Sequence, residues 1–225
     1  MVVHVQAGAG ASSPAAPRAL ADATFAVVDV ETTGLSARKH KILQVAVVLA
    51  RADGTVLDRW VSYIRPRFLW FTRLGPTHIH GITRRDLQGA PALDSVVAEV
   101  ARRIDGTVLT AHNLGFDRAF LRASARKTGH SLRHDGEVCT LVLARRLDPT
   151  NEWSHKLGDL CERYAVTLDH AHDALADAEA TARLLPYLLA ESGATTLGEL
   201  TQLLARRDPD DPAAADPTGG IPRPT

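Results

Sequence analysis

The sequence predicts an α/β fold: a mixed five-stranded sheet, three antiparallel strands followed by two more, flanked by helices. Three observations carry this reading. Residues 24–30, Thr-Phe-Ala-Val-Val-Asp-Val, form a nearly continuous apolar and β-branched run, the signature of a buried central strand. Strand-like runs follow at residues 41–50 and 55–64, with the tight turn Ala52-Asp53-Gly54 between them. Connections this short join antiparallel neighbours. Beyond residue 83, segments of helical periodicity alternate with single short apolar runs, the pattern of helices packed on a sheet.

The elements follow in order. Residues 65–82, with Pro66 and Pro76, read as an irregular loop. Thr83-Arg84-Arg85-Asp86 has capping-box spacing and should start a short helix. Pro91 suits the first position of the next helix. Leu93, Val96, Val97, Val100, Ala101 and Ile104 then keep helical spacing up to Gly106. Residues 107–111 read as a fourth strand, and 116–128 as a helix ended by Gly129. Residues 138–141 form a short fifth strand running into a helix, with further helices over 156–165, 173–191 and 196–206.

Length and composition bound the rest. A chain of 225 residues, 45% hydrophobic, fits one domain with a sizeable core. Residues 1–22 are rich in Ala, Gly, Ser and Pro, and 207–225 in Asp and Pro. Both are expected to be disordered, leaving residues 23–206 as the folded domain. The formal net charge is zero, so overall charge does not announce a nucleic-acid binder. Residues 51–150 nevertheless hold about sixteen Lys/Arg against about ten Asp/Glu, a local excess that suits phosphates or, equally, a solvated mixed surface. Cys139 and Cys161 form no metal-type pair and no disulfide framework, so both are expected as buried free thiols. No run is long enough to span a membrane and the start lacks signal-peptide character. The expected setting is cytoplasmic, with no membrane partner.

Three elements carry candidate chemistry. Asp29 and Glu31 lie two apart on the first strand, so their side chains leave the same face. Two acids at the end of a buried apolar strand repel and resist desolvation, which favours a cation between them; two solvated acids at a strand end are the bland alternative. His112-Asn113-Leu114-Gly115-Phe116-Asp117 links a strand to a helix and puts Asp117 in the first turn, where the helix dipole favours a carboxylate. His172-Asp173-Ala174-Leu175-Ala176-Asp177 opens a late, long helix. Five helical steps would turn His172 and Asp177 apart, so the pattern works only with His172 in the preceding loop and Asp173 as the cap. His170 lies outside this spacing and is a weaker candidate.

Taken together and in this order, the elements resemble the DEDDh, or DnaQ-like, exonuclease family, named for four acids and a histidine. It includes the proofreading subunit of bacterial replicative polymerases, oligoribonuclease and ribonuclease T. The resemblance runs from about residue 24 to 190, and His80-Gly81-Ile82-Thr83 is similar to a segment of the polymerase-associated branch. Cys139-Thr140-Leu141 with Leu143-Ala144-Arg145 is similar to another family stretch. It implies a ribonuclease-H-like sheet and hydrolysis at nucleic-acid 3′ ends, with catalytic residues Asp29, Glu31, Asp117, His172 and Asp177. The four acids would hold two divalent ions, Mg²⁺ or Mn²⁺, hard cations that prefer oxygen ligands. Asp29 would bridge them, Glu31 and Asp177 completing one site and Asp117 serving the other. His172 would be the general base.

The resemblance also implies that Thr32, Thr33, Gly34 and Leu35 hold the terminal nucleotide, with Asn113 and Phe116 lining the same pocket. Phe116 either stacks on a base or packs in the core. Residues 65–73 mix cations and aromatics, which fits a single-strand track, a packed loop or an interface. The expected partner is single-stranded DNA, with replication or repair proteins beside it. RNA-directed exonuclease, ribonuclease-H-like endonuclease and a non-catalytic binding module on the same fold are the alternatives. Gln202-Leu203-Leu204 is a weak candidate for a sliding-clamp peptide.

Overall fold

The computed structural model describes residues 18–169 and 172–205. In chain order the elements are β1 (Thr24–Thr32), β2 (Ile42–Arg51), β3 (Val56–Tyr63), α1 (Thr77–His80), α2 (Arg84–Leu87), α3 (Leu93–Ile104), β4 (Val108–Ala111), α4 (Leu114–Thr128), β5 (Gly136–Cys139), α5 (Thr140–Leu147), α6 (Leu157–Arg163), α7 (Ala174–Ser192) and α8 (Leu197–Ala205). The five strands form one sheet in the order β3-β2-β1-β4-β5. β1, β2 and β3 pair antiparallel, whereas β4 runs parallel to β1 and β5 parallel to β4. The expected mixed sheet is therefore present.

β1 lies at the centre, and its alternation assigns each face. Phe25 and Val27 point to a core shared with Leu184, Leu185 and Leu188 of α7. Ala26, Val28 and Val30 point to the opposite core, with Val96, Val100 and Ile104 of α3 and Phe120 and Leu121 of α4. A strand buried on both faces has no room for polar alternation, which is why its sequence reads as a continuous apolar run. Asp29 and Glu31 keep the parity of Phe25 and Val27, so both belong to the α7 face. A third, smaller cluster joins Leu43, Leu69, Leu74, Ile82 and Leu87 under the loop between β3 and α2.

Several boundaries differ from the expectation. Residues 18–22, assigned to the flexible arm, belong to the fold: Leu20 is buried and its N–H donates to Thr195 O at 2.9 Å. One leucine in an Ala/Pro-rich context gives no periodicity to read. Pro91 is not the first helical residue, because Ala92 is the N-cap and α3 begins at Leu93. α4 starts two residues before Phe116, with Asn113 at its N-cap in the left-handed conformation (φ 68°). β5 lies two residues upstream of its expected position. The loop at 65–82 contains α1 and a 3-10 turn at Leu69–Phe71. Cys161 is buried as expected, but Cys139, at the end of β5, is only half-buried; both are free thiols.

The remaining arm, residues 1–17, the tail from 206, and His170 lie outside the described residues. Gln202-Leu203-Leu204 falls within α8. Among the described residues no helix is long and apolar enough to cross a membrane.

Candidate active site

Three elements meet where β1 leaves the sheet. β1 supplies Asp29 and Glu31, and the first turn of α7 supplies Asp177. One carboxylate oxygen from each lies within 4.8 Å of the others. α4 arrives from the opposite face and inserts Asp117, which is buried at 2% exposure. Its Oδ1 accepts the N–H of Val30, the residue between the two β1 acids, at 3.1 Å. Asp117 therefore stands beside the three-carboxylate group without belonging to it.

The start of α7 is built as the spacing requires. Asp173 caps the helix, its Oδ1 accepting from Leu175 N at 3.0 Å and Ala176 N at 3.1 Å. His172 precedes the cap in a left-handed conformation (φ 70°) and is exposed. Its backbone N–H donates to Asp177 Oδ2 at 3.2 Å. Holding a non-glycine residue there costs conformational energy, a cost that clusters at functional sites.

The sequence reading missed Gln44. It sits opposite Glu31 in the β1–β2 register and is buried. Gln44 Nε2 donates to Asp173 Oδ2 at 3.3 Å, and Ala174 N donates to its Oε1 at 3.4 Å. This side chain thus fixes the α7 cap to the sheet. A lone amide in the otherwise apolar run 42–50 was the available signal, because a buried amide needs partners.

The acids are not neutralised by the protein. Among the described residues no Lys or Arg forms an ion pair with Asp29, Glu31, Asp117 or Asp177. Desolvation, followed by repulsion from Asp117, Asp177 and Glu31, holds the Asp29 carboxyl well above the usual carboxylate range. Desolvation and the charges of Asp177 and Asp173 push Glu31 up to about 7. Asp117 is raised mainly by desolvation, against the opposing Val30 hydrogen bond. Asp177 is raised for the same reason, offset in part by the His172 N–H and its imidazole. Asp177 Oδ1 is buried with no hydrogen-bond partner among the described residues. Convergent oxygens, unneutralised charge and one orphaned oxygen together fit a hard divalent cation.

The neighbouring turn carries the residues expected to meet substrate. Thr32 is buried and its Oγ1 donates to Gly34 O at 2.8 Å. A side chain on Gly34 would strike the His40 ring at 2.7 Å, so the turn needs glycine. Thr33 is held by Lys41, whose N–H donates to Thr33 Oγ1 at 3.0 Å, and Leu35 stands 64% exposed at the tip. Asn113 is the α4 cap, and Phe116 packs on Phe120 with ring centroids 4.9 Å apart. His112, half-buried just after β4, contacts Thr140 Oγ1 through Nδ1 at 3.1 Å, and desolvation lowers its pKa to about 4. It is a neutral structural group at pH 7.

A mixed 3-2-1-4-5 sheet with an acid cluster at the end of its central strand defines a nuclease of the ribonuclease-H-like class. Residues 26–185 match the Exonuclease family typified by ribonuclease T, and the chain belongs to that family of DnaQ-like 3′→5′ exonucleases. It is 37% identical over 197 residues to a PolC-type DNA polymerase III of Lacticaseibacillus paracasei, covering 85% of this chain. A PolC-type relative from Halalkalibacterium halodurans is 37% identical over 166 residues, covering 74% of this chain. The chain spans only 13% and 11% of those relatives' lengths. Exonuclease X in complex with 5′ overhanging duplex DNA matches with a TM-score of 0.61 and 25% identity, over 80% of this chain and 99% of that one. Escherichia coli exonuclease I in complex with a dT13 oligonucleotide shares the fold, with a TM-score of 0.67 and 20% identity over 76% of this chain and 42% of that one.

Proposed function

We propose that this chain removes nucleotides from the 3′ end of single-stranded DNA by hydrolysis assisted by two divalent ions, Mg²⁺ or Mn²⁺. One observation carries the reading: carboxylates from β1 and α7 converge within 4.8 Å with no cation of the protein between them. Asp29, Glu31 and Asp177 would hold one ion, and Asp29 with Asp117 the second. When bound, such ions make water nucleophilic at neutral pH and stabilise charge on the leaving oxygen. His172 takes the proton of the attacking water at an imidazole nitrogen, its backbone held on Asp177 while the residue stays exposed to solvent. The turn from Thr32 to Leu35 receives the terminal nucleotide, with Leu35 exposed at its tip. Asn113 and Phe116 border the same end of the sheet through the start of α4.

DNA is favoured over RNA by the relatives' names, DNA polymerase III of PolC type, and by the DNA in the exonuclease X complex. The same names support a replication or repair setting. Matched 5′-labelled single-stranded DNA, duplex DNA and short RNA, incubated with Mg²⁺ or Mn²⁺, test the reading. The expected result is progressive shortening of single-stranded DNA from the 3′ end, abolished by EDTA, with a closed circular strand left intact. Cleavage of the circle, or no metal-dependent shortening of any substrate, overturns it.

A further inference from the structure

The loop between β3 and α2 is firmly seated yet displays three aromatic side chains to water. Leu69 and Leu74 anchor it in the small core with Leu43, Ile82 and Leu87. Gly75 (φ +82°) lies so close to the site turn that an added Cβ would fall 2.4 Å from Thr33 O. Beside these anchors Phe68, Trp70 and Phe71 are 59%, 69% and 90% exposed. A loop that buries two leucines but turns out three larger apolar groups has a use for those groups.

An open cleft of about 720 Å³ runs from Thr33 to this loop. Phe68 and Phe71 line it together with Lys39, Lys41 and Arg73. None of these three cations forms an ion pair among the described residues, and no carboxylate lines the cleft. Lys41 Nζ donates only to Thr72 Oγ1, at 3.4 Å. Thr33, which lines the cleft, follows Glu31 by two residues, so the cleft begins near the acid cluster.

We infer that this cleft is a second binding surface, which holds the single-stranded DNA upstream of the nucleotide being removed. Phosphates lie against Lys39, Lys41 and Arg73, and an unpaired base stacks on Phe71. The inference rests on the single-stranded DNA reading above. The chemistry selects the occupant. Cations without counter-charges favour a polyanion. Exposed rings favour a strand whose base faces are free, which a duplex does not offer. A protein partner would need the rings but not three unpaired cations beside the catalytic turn.

Fluorescence anisotropy of 5′-labelled dT12 in EDTA measures this binding without cleavage. Phe71→Ala is expected to weaken affinity at least about fivefold, the lower end of base–aromatic stacking, and Phe71→Trp to retain it. Phe71 is so exposed that its loss does not threaten the fold. Arg73→Glu is expected to weaken affinity and to flatten the log–log salt slope by about 0.7 for each phosphate that the variant no longer neutralises. Arg126→Glu, exposed in the last turn of α4, is expected to stay within about twofold of wild type, since it lies away from the cleft.

Wild-type affinity in both Phe71→Ala and Arg73→Glu overturns the inference. So does self-association that Phe71→Ala abolishes while dT12 affinity is unchanged. Tighter binding of rU12 or of duplex DNA than of dT12 also overturns it. Shortening assays on the same preparations keep the two readings apart. Loss of dT12 binding in the variants, with no shortening by wild type, upholds the cleft and defeats the nuclease. Shortening by wild type, with unaltered binding in the variants, does the reverse.

Discussion

The protein treats its carboxylates in two opposite ways. Away from the site, Glu99 pairs with Arg102 and Arg103, Asp58 with Arg103, and Glu137 with Arg118 and Arg122. Hydrogen bonds from Arg102 and Arg103 lower Glu99 to about 2, and Arg103 likewise lowers Asp58. At the end of β1 the pattern inverts: Asp29, Glu31, Asp117 and Asp177 crowd together, have no arginine partner among the described residues, and are all raised. A fold that supplies guanidinium groups to its outer acids withholds them where four acids meet. That contrast separates a site built for an external cation from a chance accumulation of surface charge.

The contrast breaks most severely if removing one site carboxylate spares activity. Asp29→Asn and Asp177→Asn are each expected to lower metal-dependent shortening of single-stranded DNA by more than about 10³-fold, because each removes a charge that holds the ions. Both variants should remain folded by circular dichroism, and their metal-free forms should be no less stable than wild type, because repulsion is relieved. An active Asp29→Asn protein would remove that residue from the mechanism.

Next in size is His172→Ala. A positioned general base contributes about 10²- to 10⁴-fold, so kcat should fall by about that much while cation binding changes little. The acidic limb of the pH–rate profile should also change. An unchanged profile in His172→Ala would confine the residue to its backbone contact with Asp177.

The third test concerns proton linkage at Glu31. Its native value of about 7 lies above the ordinary 4.5 of a glutamate, so between those pH values the folded protein holds a proton that the unfolded chain has released. The contribution of Glu31 to the stability of the metal-free protein therefore falls as pH rises through this window, against an opposite contribution from His112, whose value is lowered. Divalent-ion binding must displace that proton and strengthens over the same range. Glu31→Gln should flatten the decline. With solvent screening of this half-buried group allowed for, it should stabilise the metal-free protein at pH 8 by about 2 kcal/mol. Urea titrations of wild type and Glu31→Gln in EDTA at pH 5 and pH 8 measure it: His112 contributes equally to both, and a variant that gains no stability over wild type between pH 5 and pH 8 would refute the repulsion argument.

How much of this was legible in the sequence depends on range. The first strand announced itself because burial on both faces leaves only apolar residues, and the i, i+2 spacing put Asp29 and Glu31 on one face without any tertiary knowledge. Asp173 as cap and His172 outside the helix followed from a single turn of geometry. The hydrogen bond from Val30 to Asp117 spans 87 residues, and no local pattern encodes it. Gln44 was passed over because its partners, Asp173 and Ala174, lie about 130 residues away. The loop at 65–82 was legible as irregular but not as anchored, since Leu69 and Leu74 keep no period.

The smallest expected effect sharpens the comparison from its other side. Glu99 is half-exposed on α3, and its two arginines hold it by i,i+3 and i,i+4 contacts. The arrangement adds little stability, because water screens the charges and holding long side chains costs entropy. Glu99→Gln should therefore cost less than about 1 kcal/mol of stability and leave DNA shortening at the wild-type rate. A chemically similar change, carboxylate to amide, is thus nearly silent on α3 and disabling on β1. If Glu99→Gln impaired cleavage as much as Asp29→Asn, net charge alone would govern activity and the geometry at the end of β1 would lose its special standing.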